Sequence, residues 1–92
     1  MTLASALDDF LGYLAVERGS PSNTRNSYEH DLRRYAAALR SQGVTSPDEV
    51  SRQVVEGYVV SLSEAGFAAS SIDRAVSALK SFHRFMVADQ IT

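Results

Sequence analysis

Ninety-two residues without a cysteine already exclude several classes of protein. A chain of this length holds one domain with a single core, and the lack of cysteine excludes disulfides, thiolate nucleophiles and cysteine-type zinc sites. Charged residues interrupt every apolar stretch long before the roughly 20 residues that a membrane span needs, and the first residues lack the positive charge of a secretion signal. We therefore expect a cytoplasmic protein that makes no contact with a membrane.

The net charge of −2 conceals an uneven distribution of charge along the chain. Residues 20–43 and 67–92 carry net charges of +2 and +1, whereas residues 1–19 and 44–66 carry −2 and −3. Because salt screens charges beyond a distance of about 8 Å, the local charge of a surface matters more for binding than the global charge. The two basic segments are therefore candidates for contact with phosphate groups.

Apolar residues at helical spacing predict the first two helices. Helix one should run from Thr2 or Leu3 to Arg18, because its stripe consists of Leu3, Leu7, Phe10, Leu11 and Leu14. Gly19 suits the end of this helix, and Ser20-Pro21 fits an N-cap followed by proline at the first helical position. Helix two should extend for about 20 residues and end near residue 42, with a stripe of Tyr28, Leu32, Tyr35, Ala36 and Leu39.

The second half of the chain predicts one helical turn and two more helices. Ser46 and Glu49 have the spacing of a capping box, which predicts a single turn at 47–50, and Ser51 is a second N-cap for a helix from Arg52 to Ala65. That helix has an apolar face of Val54, Val55, Tyr58, Val59 and Leu62. Gly57 indicates a close approach by a neighbouring helix.

Helix four should begin at Ser70 or Ser71, after Gly66, and continue to about Asp89. Its apolar stripe consists of Ile72, Ala75, Val76, Leu79, Phe82 and Met86. No segment shows the alternation of a strand. The pattern predicts an all-α fold, a small bundle of four main helices.

Helices two and four each have a polar side that is rich in cations. At 100° per residue, helix two turns Asn26, Arg33 and Arg40 away from its apolar stripe, together with Glu29 and Ala37. Helix four does the same with Arg74, Ser77, Lys80, Ser81 and Arg84. A solvated helix surface usually interleaves acids and bases at i, i+4 spacing, so two faces with few acids favour contact with an anionic partner.

Two short motifs resemble the signatures of one family. The spacings Thr24-x-x-x-Tyr28-x-x-Asp31-Leu32 and Ser71-Ile72-x-Arg74-x-x-Ser77-Ala78-x-Lys80-x-Phe82 are similar to the two DNA-facing helices of tyrosine recombinases. The similarity is to the N-terminal core-binding domain of these enzymes, which is SAM-like, and it is strongest to the Xer group. It extends from Leu3 to about Gln90.

The resemblance implies a DNA-binding role for helices two and four. In the family, these helices lie across and into the major groove of double-stranded DNA, while a C-terminal catalytic domain clamps the opposite face of the duplex. Together with the polar faces described above, the resemblance gives the expected DNA contacts of this chain, which are Thr24, Arg25, Asn26, Arg33, Arg40, Ser71, Arg74, Ser77, Lys80 and Arg84. Ala68 departs from the family pattern, which often has a serine or threonine cap before the fourth helix.

The resemblance also predicts how the chain fits into a longer enzyme. The pattern of helix four ends at Asp89-Gln90, where the family continues through a linker into the catalytic domain, so residues 1–92 are expected to be the core-binding domain alone. Helix one begins within three residues of Met1, which leaves no room for a preceding arm-binding domain and favours the Xer-like branch. The family implies assembly with a second recombinase subunit on DNA, and we expect the isolated domain to be monomeric.

The sequence provides no candidate catalytic site. Recombination needs a nucleophilic tyrosine beside arginines, a lysine and histidines. Tyr28, Tyr35 and Tyr58 lie on apolar stripes and Tyr13 lies beside one, so each is expected to be structural. We therefore expect the isolated chain to have no enzymatic activity.

The two histidines do not predict a metal site. His30 lies on the polar side of helix two without a second histidine at i+4, and His83 flanks the apolar stripe of helix four. No glycine-rich phosphate loop is present. The sequence therefore indicates neither a metal nor another cofactor.

Two other functions are compatible with a helical bundle of this kind. A protein interaction module of adaptor type could use an acidic face on helices one and three. A helix-turn-helix regulator is a third reading, although its recognition helix normally follows a tight turn from a short helix, and the helices here are long.

Overall fold

The computed structural model of the chain describes residues 2–17 and 22–88. Within these ranges the chain forms four α-helices and one 3-10 turn, without a strand, in the order α1 (Leu3–Glu17), α2 (Ser22–Ser41), the turn Pro47–Glu49, α3 (Arg52–Glu64) and α4 (Ala69–Ala88). The all-α prediction is confirmed. The predicted cap at Gly19 and Ser20-Pro21 lies outside the described residues.

Short polar side chains fix where several helices begin. Thr2 Oγ1 accepts a hydrogen bond of 3.1 Å from the backbone N–H of Ser5 at the start of α1. The predicted capping box is present in the 3-10 turn, where the backbone N–H of Ser46 donates to Glu49 Oε1 at 3.1 Å. Ser51 is the N-cap of α3, since its Oγ accepts a bond of 3.2 Å from Val54 N–H. These bonds satisfy donors that lack a partner inside the helix.

Glycine ends α2 and α3, as the sequence predicts. Gly43 and Gly66 have φ angles of 85° and 89°, in the left-handed region that side chains with a Cβ rarely adopt. The residue after each glycine donates to a carbonyl five positions earlier, from Val44 to Leu39 at 2.9 Å and from Phe67 to Leu62 at 3.1 Å. This hydrogen bond is typical of the Schellman motif, and it turns the apolar side chains of Val44 and Phe67 back onto the core.

The core receives side chains from all four helices, and α2 and α4 each pack against all three other helices. Its largest completely buried side chains are Leu7, Phe10, Leu32, Tyr35, Leu39, Phe82 and Met86. Phe10 of α1 meets Phe82 of α4 at 5.6 Å between ring centroids. The apolar stripes predicted for the four helices are therefore the faces that form the core.

The prediction for Gly57 is wrong. This glycine is exposed, and a Cβ atom built there meets nothing within 4 Å. It lies almost opposite Leu62 on α3, so no helix approaches it.

Among the described residues, no helix is both long enough and apolar enough to cross a bilayer.

A hydrogen bond between α2 and α4 is embedded beside the core. Tyr35 is buried, and its Oη lies 2.9 Å from His83 Nε2. Burial raises the pKa of Tyr35 and lowers the pKa of His83, so the phenol keeps its proton and the imidazole is favoured in its neutral form. The phenol therefore donates this bond, and the imidazole nitrogen accepts it.

The lowered pKa of His83 predicts a loss of stability in acid. Above its ordinary pKa of 6.5, the histidine is neutral in the folded and the unfolded chain, and the hydrogen bond with Tyr35 is fully effective. As the pH falls through 6.5, the unfolded chain takes up the proton first, and this favours unfolding. We expect the stability advantage of the parent over His83→Gln to shrink between pH 7.5 and pH 5.5 in denaturant titrations. Parallel pH profiles for the two proteins would contradict this prediction.

The buried position of Leu32 predicts a large effect of truncation. Leu32→Ala should lower the free energy of unfolding by roughly 2–5 kcal/mol, because it removes buried methyl groups and leaves a cavity. Val60, which is 56% exposed on α3, provides the control. Val60→Ala should change the free energy of unfolding by less than about 0.5 kcal/mol in the same melts.

Candidate nucleic-acid interface

A buried acid joins the two helices that carry the predicted interface. Asp31 of α2 is 2% exposed, and both of its carboxylate oxygens accept hydrogen bonds from Arg74 of α4. Arg74 Nε donates to Oδ2 at 2.9 Å, and Nη2 donates to Oδ1 at 3.2 Å. The hydrogen bond to Asp31 is the main cause of the raised pKa of Arg74. Arg74 therefore joins α4 to α2 and is not an unpaired surface cation.

A second arginine, Arg34 of α2, shares the same carboxylate. Its Nη1 lies 3.6 Å from Asp31 Oδ1, and its guanidinium carbon lies 4.8 Å from the centre of the Phe67 ring, within the range of a cation–π interaction. The side chains of Arg34 and Arg74 are 44% and 47% exposed, so both guanidinium groups extend from the buried acid to the surface.

The sequence prediction missed both Arg34 and the burial of Asp31. Asp31 lies three residues after Tyr28 and four before Tyr35, which places it within the apolar face of α2. An acid at such a position requires a cationic partner on a neighbouring helix, because an unpaired buried charge is very costly. The helical phase of Asp31 was therefore a signal for the ion pair.

On α2, three predicted contact residues form one row with a spacing of seven residues. Asn26, Arg33 and Arg40 are all exposed. Arg33 is already paired, since its Nε donates to Glu29 Oε2 at 2.9 Å and its Nη2 lies 3.7 Å from Asp8 Oδ1 of α1. The hydrogen bond to Glu29 is the main cause of the raised pKa of Arg33.

A surface groove between α1 and α2 lies beside this row. Arg33 and Arg40 line it on the α2 side, and Leu3 and Leu7 line it on the α1 side. At the other end of α2, Arg25 is half-buried, and its Nε has no hydrogen-bond partner among the described residues. The side chain of Thr24 lies outside the described part of the structure.

On α4, the predicted contacts divide into two groups. Ser77, Lys80 and Arg84 are exposed and lie on one face of the helix, at spacings of three, four and seven residues. Within residues 2–17 and 22–88, neither Lys80 nor Arg84 takes part in an ion pair. Ser71, in contrast, is half-buried on the side of α4 that turns toward the core.

The predicted contacts that are described in full therefore lie in separate places. Arg33 and Arg40 border the groove next to α1, Arg74 lies at the contact of α2 with α4, and Lys80 and Arg84 occupy the outer face of α4. In the described part of the chain, no three histidine, aspartate or glutamate side chains come together as a metal site would require. What these surfaces offer is positive charge and hydrogen-bond donors.

The all-α fold agrees with the family that sequence comparison identifies. The model of the phage integrase N-terminal SAM-like domain matches residues 7–90, so the chain belongs to this family. The family predicted from the two sequence motifs is thereby confirmed.

The individual relatives carry the name tyrosine recombinase XerD. The chain is 35% identical to the protein of Oceanobacillus iheyensis over 91 residues, which are 98% of the chain and 31% of the relative. It is 42% identical to that of Chlorobaculum tepidum over 85 residues, 92% of the chain and 28% of the relative. The corresponding values for Mycobacterium tuberculosis are 37% identity, 96% and 30%. The chain thus spans less than a third of the length of these relatives, and no solved structure is a significant match to it.

The burial of Asp31 predicts unequal costs for the removal of two arginines. Arg74→Gln leaves an almost completely buried carboxylate without its bidentate partner, and we expect a loss of about 1–3 kcal/mol in the free energy of unfolding. Arg33→Gln breaks an exposed pair and should cost less than about 1 kcal/mol. Thermal or denaturant melts of the two variants provide the comparison. Equal costs would mean that the Asp31 pair is no more important than a surface ion pair.

Proposed function

We propose that this chain is the DNA-binding core-binding domain of a Xer-like site-specific tyrosine recombinase. In this proposal, α2 and α4 grip double-stranded DNA in the cytoplasm, and a catalytic domain that is not part of residues 1–92 breaks and rejoins the strands. Membership of the integrase N-terminal family and similarity to proteins named tyrosine recombinase XerD support this assignment. On this reading the domain has no catalytic activity of its own.

The outer face of α4 is the observation that carries the proposal. It presents two exposed cations, Lys80 and Arg84, beside the small exposed side chain of Ser77. A small residue beside two cations leaves room for a DNA backbone to approach closely, and most protein contacts to DNA are with phosphate and sugar. Asn26, Arg33 and Arg40 on α2 extend the set of donors. Base contacts by this domain are expected to be few.

The number of cations sets the expected strength of binding. With a few phosphate contacts and no second domain to close around the duplex, binding should be mostly non-specific, with a Kd on the order of 10⁻⁴ to 10⁻⁶ M at physiological salt. The isolated chain is expected to be monomeric and to meet a second recombinase subunit only on DNA. Sedimentation of the free chain tests whether it is monomeric.

The salt dependence of binding tests whether α4 contacts phosphates. Lys80→Gln and Arg84→Gln, made singly, should each lower the slope of log K against log salt by about 0.9, the value for one phosphate contact. The measurement is fluorescence anisotropy of a short labelled duplex at several salt concentrations. Arg52→Gln is the matched control, because Arg52 is an exposed cation on α3, 2.8 Å from Glu56. The three variants should fold like the parent, since all three side chains are exposed.

Two results would count against the proposal. If the parent chain shows no salt-dependent affinity for duplex DNA, the domain does not bind DNA by itself. If Arg52→Gln changes the slope as much as Lys80→Gln and Arg84→Gln do, the effect comes from net charge and not from contacts made by α4.

An adaptor function remains the second candidate because of one feature of α3. Val60 is 56% exposed, and it lies between Glu56 and Glu64 at i, i+4 and i+8 spacing on a single face of this helix. An exposed apolar residue between two acids suits a basic protein partner. If Lys80→Gln and Arg84→Gln leave DNA binding unchanged, while Glu56→Lys and Glu64→Lys abolish binding to a protein partner, the adaptor function is the better description.

A further inference from the structure

The arrangement of Arg34 and Arg74 around Asp31 goes beyond what an internal ion pair requires. One carboxylate neutralises one guanidinium, and Arg74 alone engages both of its oxygens. Arg34 adds a second positive charge next to the same Oδ1 atom. The cluster therefore has an excess charge of one, which favours the approach of a further anion.

The geometry also fixes how the remaining donors are presented. The bidentate bond from Nε and Nη2 fixes the orientation of the Arg74 guanidinium plane. The guanidinium group of Arg34 lies against the Phe67 ring. Arg34 lies 3.6 Å from the carboxylate, beyond the length of a normal hydrogen bond, so its donors remain available. Both side chains are close to half exposed, and the guanidinium fork suits the oxygens of a phosphate.

We propose that Asp31 is a positioning residue, and that it holds Arg34 and Arg74 as a two-helix clamp for a phosphate of the DNA backbone. This inference rests on the proposed function, and it adds to the interface a residue that the family motifs do not include, Arg34. The clamp is preorganised, because the side-chain entropy of both arginines is restricted before DNA arrives. A phosphate bound here would contact α2 and α4 together.

Asp31→Asn gives a test in which positioning and net charge predict opposite results. The substitution removes a negative charge, so a purely electrostatic effect would strengthen DNA binding. If Asp31 positions the arginines, the affinity for a labelled random-sequence duplex should instead fall about tenfold, because the donors lose their fixed orientation. Glu56→Gln is the matched control, since it removes one negative charge from an exposed site on α3, and it should leave affinity unchanged or slightly higher. An affinity for Asp31→Asn equal to or above that of Glu56→Gln overturns the proposal.

Variants of Arg34 decide the matter if Asp31→Asn does not fold, which circular dichroism would reveal. Arg34→Gln should lower the salt slope by about 0.9, and Arg52→Gln should not change it. Arg34→Lys keeps the charge but loses the planar fork, so it should bind more weakly than the parent. A parent-like slope for Arg34→Gln, or a parent-like affinity for Arg34→Lys, overturns the clamp.

The failure of this inference can be told apart from the failure of the proposed function. If Lys80→Gln and Arg84→Gln weaken DNA binding while the Asp31 and Arg34 variants bind like their controls, α4 still binds DNA and only the clamp is wrong. If the parent itself shows no affinity for the duplex, both proposals fall.

Discussion

A carboxylate buried between α2 and α4 constrains the whole bundle. Asp31 is 2% exposed, and a charge in that position is tolerated only when a cation satisfies its oxygens. Arg74 reaches both oxygens from α4, so α4 must pack against α2 at a position and angle that keep this bidentate bond. Apolar packing alone allows small shifts of one helix along another. The ion pair restricts these shifts, because each would separate donors from acceptors.

This constraint acts where the rest of the structure converges. α2 and α4 each contact all three other helices, and the Tyr35–His83 hydrogen bond joins the same two helices beside the core. Two polar links along one helix pair fix its relative rotation better than one. The position of α1 and α3 then follows from the apolar faces that they present to this pair, such as Phe10 against Phe82.

Much of this fold could be predicted from the sequence because local rules determine it. Leu32, Tyr35 and Leu39 repeat at helical spacing, and Ser46, Ser51, Gly43 and Gly66 have capping roles that depend only on neighbouring residues. The candidate site depends on contacts between helices, and these contacts could not be predicted from local sequence patterns. Helical phase showed that Arg33 is exposed but not that Asp8 of α1 lies 3.7 Å away. A count of cations also treated Arg33 and Arg74 as unpaired, whereas both form ion pairs. Gly57 shows the same limit of sequence-based prediction, since no neighbouring helix packs closely against this glycine.

The distribution of paired and unpaired cations has a consequence for how this domain would distinguish DNA sequences. On the proposed function, cations such as Lys80 and Arg84, which form no ion pair within the described residues, would attract any duplex, because every phosphate carries the same charge. Arginines held by a buried acid impose a geometry, since the phosphate must lie where both fixed forks can reach it. Such a requirement depends on the path of the DNA backbone, which varies with sequence through groove width and bending. On the proposed function, a rigid contact between α2 and α4 would therefore let the domain respond to DNA shape without many base contacts, whereas exposed cations such as Lys80 and Arg84 would supply affinity alone.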